Sequence, residues 1–416
     1  MYKGDARLEG KKSPHLRHLN MDFPLELQDR IIDHLYDEKH ALGTCGLVNK
    51  TWLRSSRHHL FSLVAVRDLT CEAFVSLLNS PLATFTHSIK TLAIRQTVDL
   101  DLEATALLDD VIPEFSPLPA LRCFRLAHLA WEGVTASTAD YLTASFANIT
   151  ELDLQMVVFR DPHQLAVLVS RFPLLEKVSL QPVFLDDGAA VQVSESHHPE
   201  IPRSLTHVRL NFINSSTHDP LKSTHLWLEG TSNNPSPVRK LELGFVAGLA
   251  AQSLPSLGKL LRVLGPNLHD LDLKLTHLVT ADDIKSHIDL SENTDLKNLT
   301  IHLGLRRFRL GAGSQRPHAP WAILSAARSP ISTLAIVLTL DAIELLDNLD
   351  WAHLNAVLER KHHLLALQRL HFMVHCSEVM TAAVEAAIRG RVTRASGGRG
   401  IVDISFLQPS RVFIRG

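Results

Sequence analysis

Residues 149–154 read ITELDL, with Ile149, Leu152 and Leu154 apolar and Glu151 and Asp153 charged. The last two apolar positions flank a charged one, the period of two that gives a strand one dry face and one wet face. Outward from this stretch the same signature, apolar-x-x-apolar-x-apolar, recurs eleven times in all. The copies are Ile89/Leu92/Ile94, Leu121/Phe124/Leu126, Ile149/Leu152/Leu154, Leu175/Val178/Leu180, Leu205/Val208/Leu210, Val238/Leu241/Leu243, Leu268/Leu271/Leu273, Leu296/Leu299/Ile301, Ile331/Leu334/Ile336, Leu367/Leu370/Phe372 and Ile401/Ile404/Phe406. Leu60/Leu63/Ala65 reads as a weaker further copy.

The copies start 26 to 36 residues apart, room for a strand, a turn, a helix and a return. Helical patterns fall in the intervals, at 71–79, 103–112, 163–171, 252–264, 282–288, 351–362 and 377–391. Strands alternating with helices at this period call for parallel pairing, because a parallel neighbour needs a crossover connection. A doubly wound sheet is covered on both faces, and its strands read as continuous apolar runs. Here the residues between the last two apolar positions are mostly polar: Ala93, Arg125, Asp153, Ser179, Arg209, Glu242, Asp272, Thr300, Ala335, His371 and Ser405. One face is therefore dry and the other wet. The expected class is α/β: a curved solenoid with one parallel sheet and outer helices.

This pattern resembles the leucine-rich repeat, whose core is LxxLxL. The Asn or Cys found three positions further on in that family is missing: Val157 stands there in the third copy and Val183 in the fourth. The usual amide ladder cannot form, so coils of unequal length are expected. At about 4.8 Å between strands, eleven of them span roughly 50 Å, enough to cradle a folded partner. Gly, Pro, Ser and Asn mark surface excursions at 184–203, 213–237 and 306–320.

Ahead of the repeats, residues 23–61 read FPLELQDRIIDHLYDEKHALGTCGLVNKTWLRSSRHHLF. Apolar residues recur at Leu27, Ile31, Ile32 and Leu35 and again at Leu42, Cys45, Val48 and Trp52, one helical stripe written twice. A segment this short seldom sustains an independent core. The order Phe23-Pro24, Glu26-Leu27, Ile31, Leu35, Leu42, Cys45, Leu47-Val48, Lys50 and Trp52 resembles an F-box, whose pattern runs LPxEL, I, L, L and LVCKxW. Phe23 replaces the usual Leu, and Asn49 stands where Cys or Ser is common. Joined to a leucine-rich-repeat-like solenoid, it is similar to the large sets of F-box proteins of fungi. The division this implies is a disordered tail over 1–19, an F-box over 20–62 and the solenoid over 63–416. The resemblance further implies a Skp-type adaptor, and through it a cullin-RING ligase, docked on Phe23, Pro24, Leu27, Ile31, Leu35, Leu42, Val48 and Trp52.

Composition limits the other classes. With 416 residues, 45% of them hydrophobic and 21% charged, the chain is globular and long enough for an extensive core. A net charge of −2 gives no global attraction to nucleic acid or anionic lipid. Cys45, Cys71, Cys123 and Cys376 form no CxxC pair, so reduced, intracellular thiols are expected. No apolar run is long enough to span a bilayer and the start carries no secretory pattern, which places the chain in the cytoplasm, the nucleus or both. Twenty-four histidines come without metal-ligand spacing, and no GxSxG, GxxxxGK[ST] or GxGxxG appears. No cofactor, metal or catalytic residue is expected.

The wet face is the candidate target surface, through Arg125, Asp153, Lys177, Arg209, Glu242, Asp272 and His371. Glu151 and Asp153 suggest an acidic patch beside a basic one at Lys177, His207, Arg209 and Lys240. The competing reading is cross-strand pairing, such as Arg125 with Asp153 or Arg209 with Glu242. For the chain as a whole, the alternative to a ligase subunit is a repeat-based binding scaffold whose amino-terminal hairpin only caps the solenoid.

Overall fold

The computed structural model describes residues 24–96, 106–115, 117–131, 134–160, 162–185, 200–212, 221, 228, 236–245, 253–275, 280–305, 319–360, 364, 366–392 and 401–407. The chain forms two compact units, Met1–Ser62 and Leu63–Gly416. The tail expected over 1–19, Phe23 and most of the three excursions lie outside the described residues.

The first unit holds three helices, α1 (Leu25–His34), α2 (Lys39–Cys45) and α3 (Lys50–Leu60), with α3 packed on both others. In the second unit come β1 (Leu63–Arg67), α4 (Asp68–Leu78), β2 (Thr91–Arg95), α5 (Ala106–Val111), β3 (Cys123–Ala130), α6 (Ala136–Ser145), β4 (Glu151–Phe159), α7 (Pro162–Ser170), β5 (Lys177–Leu185), β6 (His207–Phe212) and β7 (Lys240–Phe245). There follow α8 (Leu254–Leu264), β8 (Asp270–Leu275), α9 (Ala281–His287), β9 (Asn298–Leu305), α10 (Ala319–Ala326), β10 (Thr333–Leu340), α11 (Trp351–Arg360), β11 (Arg369–His375), α12 (Thr381–Val392) and β12 (Ile401–Phe406). The twelve strands make one sheet in chain order, and every neighbouring pair is parallel. Helices α8 to α12 pack each on the next. A helix is about 10 Å across and a strand about 4.8 Å, so a helical layer is wider than the sheet it covers and the sheet takes the inner side of the bend.

The apolar triplets build the core. In the first nine copies all three residues are buried. Second and third positions lie side by side across the sheet, from Leu92 against Phe124 to Leu334 against Leu370. The residue after the first apolar position is polar in the first ten copies, and in nine of them its carbonyl ties one coil to the next. Lys90 O accepts from the N–H groups of Arg122 and Cys123, Arg122 O from those of Thr150 and Glu151, and so on through Thr150, Glu176, Thr206, Arg239, His269, Lys297 and Ser332, at 2.8–3.2 Å.

Two copies differ from the sequence reading. At β1 the ladder sets Val64 and Val66 beside Leu92 and Ile94, so Leu63 and Ala65 face the wet side, one residue off the expected triplet. Leu63-Val64-Ala65-Val66 is apolar throughout, and no polar residue marks its phase. At β12, Val402 and Ile404 lie beside Leu370 and Phe372, two residues before the expected register. A shift of two keeps every side chain on its face, and Phe406 simply continues the alternation beside Val374. Helices α6 and α10 were not legible. The first, ASTADYLTAS, is rich in small residues and is held by Thr135 as its cap; the second begins at Ala319-Pro320, inside the expected excursion, where proline suits a first turn.

The place of the missing amide ladder is taken by hydrocarbon. Leu129, Val157 and Val183 stand side by side on β3, β4 and β5 and are buried. Leu129 and Val157 reach the core because His128 and Met156 adopt positive φ, 59° and 54°, a left-handed residue that moves the alternation on by one. Strands β9 to β11 lack this break and pair without interruption. Among the described residues no helix is long and apolar enough to cross a membrane.

Close helix contact is enforced at Gly258, midway along α8. A Cβ there would lie 2.0 Å from the carbonyl oxygen of His287 at the end of α9. Helix propensity alone favours alanine by about 1 kcal/mol, whereas overpacking against backbone costs about 1–3 kcal/mol. Gly258→Ala is therefore expected to lower stability, measured by urea unfolding, despite its better intrinsic propensity.

Candidate interaction surfaces

In the first unit, Pro24 precedes α1 and contributes no N–H that the first turn would leave unmatched. Asn49 caps α3, its side-chain oxygen accepting from Trp52 N at 2.8 Å. Two rungs one turn apart join α1 to α3: Ser55 Oγ donates to Asp29 Oδ1 at 2.5 Å, and His59 Nε2 lies 2.7 Å from Asp33 Oδ1. Ile32 and Leu42 are completely buried between the helices. Leu35 and Trp52 are half-buried.

The rest of the apolar stripe is left outside. Leu27 is 44% exposed, Ile31 40%, Val48 60% and Leu47 87%, joined by Leu25 and Tyr36. Of the residues expected to dock an adaptor, Pro24, Leu27, Ile31 and Val48 are thus accessible, and Leu35 and Trp52 partly so. Leu42, with no accessible surface, supports the hairpin from within. Leu25 at the start of α1, and Tyr36 and Leu47 in the turns after α1 and α2, belong to the accessible set and fall outside the stripe. Large apolar groups left in water at this density are unusual for a surface without a partner.

On the solenoid's wet face the structure brings Arg125 to Asp153 (3.4 Å) and Arg209 to Glu242 (3.3 Å), the two pairs named from alternation. Lys177 lies 3.7 Å from Glu151, and Glu242 also receives Lys240 at 2.6 Å and His207 at 3.1 Å. The expected separation into an acidic and a basic patch is accordingly corrected to a ladder in which neighbouring strands neutralise each other. Asp272 pairs with His302 at 2.8 Å. His371 stands apart from these groups, across β9 and β10, bonded to Ser405 at 2.8 Å. Arg369 with Asp403 (3.2 Å) was hidden by the misplaced register of β12. Such pairs contribute about 0.2–1 kcal/mol each when exposed.

Two carboxylates in this ladder are displaced in opposite senses. Glu242 is held down at about 2, foremost by His207 and then by Lys240, against the cost of burial. Asp153 is pushed up, because burial outweighs Arg125, Arg209 and Lys177. Burial likewise raises the Cys123 and Cys376 thiols, which keeps them protonated and weakly nucleophilic at neutral pH. Among the described residues no three His, Cys, Asp or Glu side chains gather as metal ligands.

No protein-family model matches the chain, and no curated protein matches it. Among solved structures, a structural-genomics protein from Bacteroides fragilis aligns with 15% identity and a TM-score of 0.36, over 76% of this chain and 73% of that one. A likeness at that level carries no argument.

The opposite displacements give a pH test. A carboxylate with a lowered folded pKa stabilises above its unfolded value, and that contribution is lost as pH falls through the folded value. For Glu242 the window runs from about 4.5 down to about 2. At about 1.4 kcal/mol per unit of displacement, the contribution at neutral pH is at most about 3–4 kcal/mol. Urea unfolding should find Glu242→Gln destabilised at about pH 6, with the gap to wild type narrowing towards about pH 3. Asp153→Asn has the other sign: the ionised form carries the cost, so removing its charge should cost much less at about pH 6, or stabilise.

Proposed function

We propose that the chain is the target-recognition subunit of an SCF-type (Skp-cullin-F-box) ubiquitin ligase. The three-helix unit docks a Skp-type adaptor, and through it a cullin-RING assembly, while the solenoid carries the surface for a protein target. The observation that supports this reading is the set of exposed apolar side chains Leu25, Leu27, Ile31, Tyr36, Leu47 and Val48 on a unit whose sequence resembles the F-box. Covering one large apolar side chain contributes about 1.5–3 kcal/mol, and association costs about 4–15 kcal/mol. Several of these residues must therefore be covered together, which favours a partner with a complementary apolar groove over scattered contacts.

On this reading the chain performs no chemistry of its own. It holds a target lysine near an activated ubiquitin carried by other subunits and raises the effective concentration of the two. The site of action is the cytoplasm, the nucleus or both.

Full-length chain co-expressed with a Skp-type adaptor should retain it through size exclusion. Leu27→Asp/Ile31→Asp should weaken retention by about 100-fold or more, with the circular-dichroism melt unchanged because both residues face water. Ile32→Asp, at a fully buried neighbour, should instead unfold the three-helix unit. A wild-type chain that fails to retain the adaptor would favour the scaffold reading, in which the hairpin serves only as a cap.

A further inference from the structure

The amino-terminal corner of the wet face differs from the rest of it. Along β3 to β12 the cations Arg125, Lys177, His207, Arg209, Lys240, His302 and Arg369 each have a carboxylate on the same or a neighbouring strand, and Lys274 on β8 stands as a single exposed cation. On β1 and β2, Arg67 and Arg95 lie side by side in the ladder, both exposed, and among the described residues neither has an ion pair. Two like charges on adjacent strands repel, an arrangement that lowers stability. Beneath them the same face is nearly bare: Ala65 beside Ala93 in the middle row, Ala127 next to Arg95, and Leu63 half open to solvent. The positive field extends to β3, where the pKa of His128 is lowered by burial first and by Arg95 second.

We propose that this corner docks an acidic segment of a partner protein, which lies over the Ala65–Ala93 floor and places a carboxylate between the two guanidinium groups. The inference rests on the receptor reading above and narrows its target class to proteins with an exposed Asp- or Glu-bearing strand or loop. Small floor residues let a backbone approach closely, and Arg presents a planar donor fork suited to a carboxylate. Strands about 4.8 Å apart set the two forks at one height, so a single carboxylate can accept from both. A carboxylate between two guanidinium groups ties affinity to charge and to salt concentration.

The test uses the full-length chain and a display library of random dodecapeptides. Enriched peptides should carry Asp or Glu at one fixed position. A synthetic peptide from that pool should bind Arg67→Ala/Arg95→Ala about tenfold more weakly or worse, with Arg67→Lys/Arg95→Lys in between. Raising salt from about 0.1 M to about 0.5 M should weaken wild-type binding and leave the alanine variant nearly unchanged. Removing two like charges should keep or raise the melting temperature, and each single alanine variant should show part of the loss. No acidic enrichment, or equal binding by the double alanine variant, overturns the proposal. So does a single-stranded RNA that binds the wild type and is lost in that variant, since the corner would then serve nucleic acid. Adaptor retention, measured in parallel, separates the outcomes: a variant that loses the peptide and keeps the adaptor supports the corner as a target site, while a wild type that binds the peptide without adaptor retains the docking site and removes the ligase.

Discussion

One backbone carbonyl per coil, bonded to two successive N–H groups of the next coil, is the constraint from which the second unit follows. From Lys90 to Ser332 it is made nine times, always at the residue after the first apolar position of the repeat. Because two N–H groups converge on one oxygen, each new coil can neither slide along its neighbour nor turn over. The strand that follows starts at a fixed height, and its second and third apolar residues fall beside those of the strand before. Burial of those residues supplies the driving force, and the carbonyl spine decides where that force is applied.

A fixed height also makes the wet face a grid, in which charge is arranged by strand. Where the grid brings opposite charges into line, as at Arg125 and Asp153 or around Glu242, the face satisfies itself and loses its attraction for partners. At Arg67 and Arg95 it brings like charges into line over small side chains, with no ion pair among the described residues. The same geometry therefore aligns opposite charges in some rows and like charges in another, and only the residue types along each row distinguish them.

The first unit obeys a different balance. Three short helices bury Ile32 and Leu42 completely and are fastened by Asn49, Ser55 and His59, yet their remaining apolar residues stay in water. A hairpin of this size cannot enclose all of its own stripe. Its polar fastenings fix the backbone without covering those residues, so they are presented in a defined arrangement.

The sequence by itself determined which side of each strand from β2 onward is dry, because LxxLxL with a polar residue between its last two apolar positions carries a period of two, as ITELDL at 149–154 illustrates. It also determined the parallel order, since the 26- to 36-residue spacing demands crossovers. Tertiary structure alone decided the register of β1 and β12, where apolar residues on both faces or beyond the motif leave a one- or two-residue shift undetermined until a neighbouring ladder selects it. It decided the left-handed breaks at His128 and Met156, which replace an amide ladder by Leu129, Val157 and Val183. It also decided that Leu42 turns inward while Leu27 and Ile31 stay outside. A helical stripe states which residues share a face; how much of that face is covered depends on the diameter of the neighbouring helices, and that is a property of the packed unit and not of any one segment.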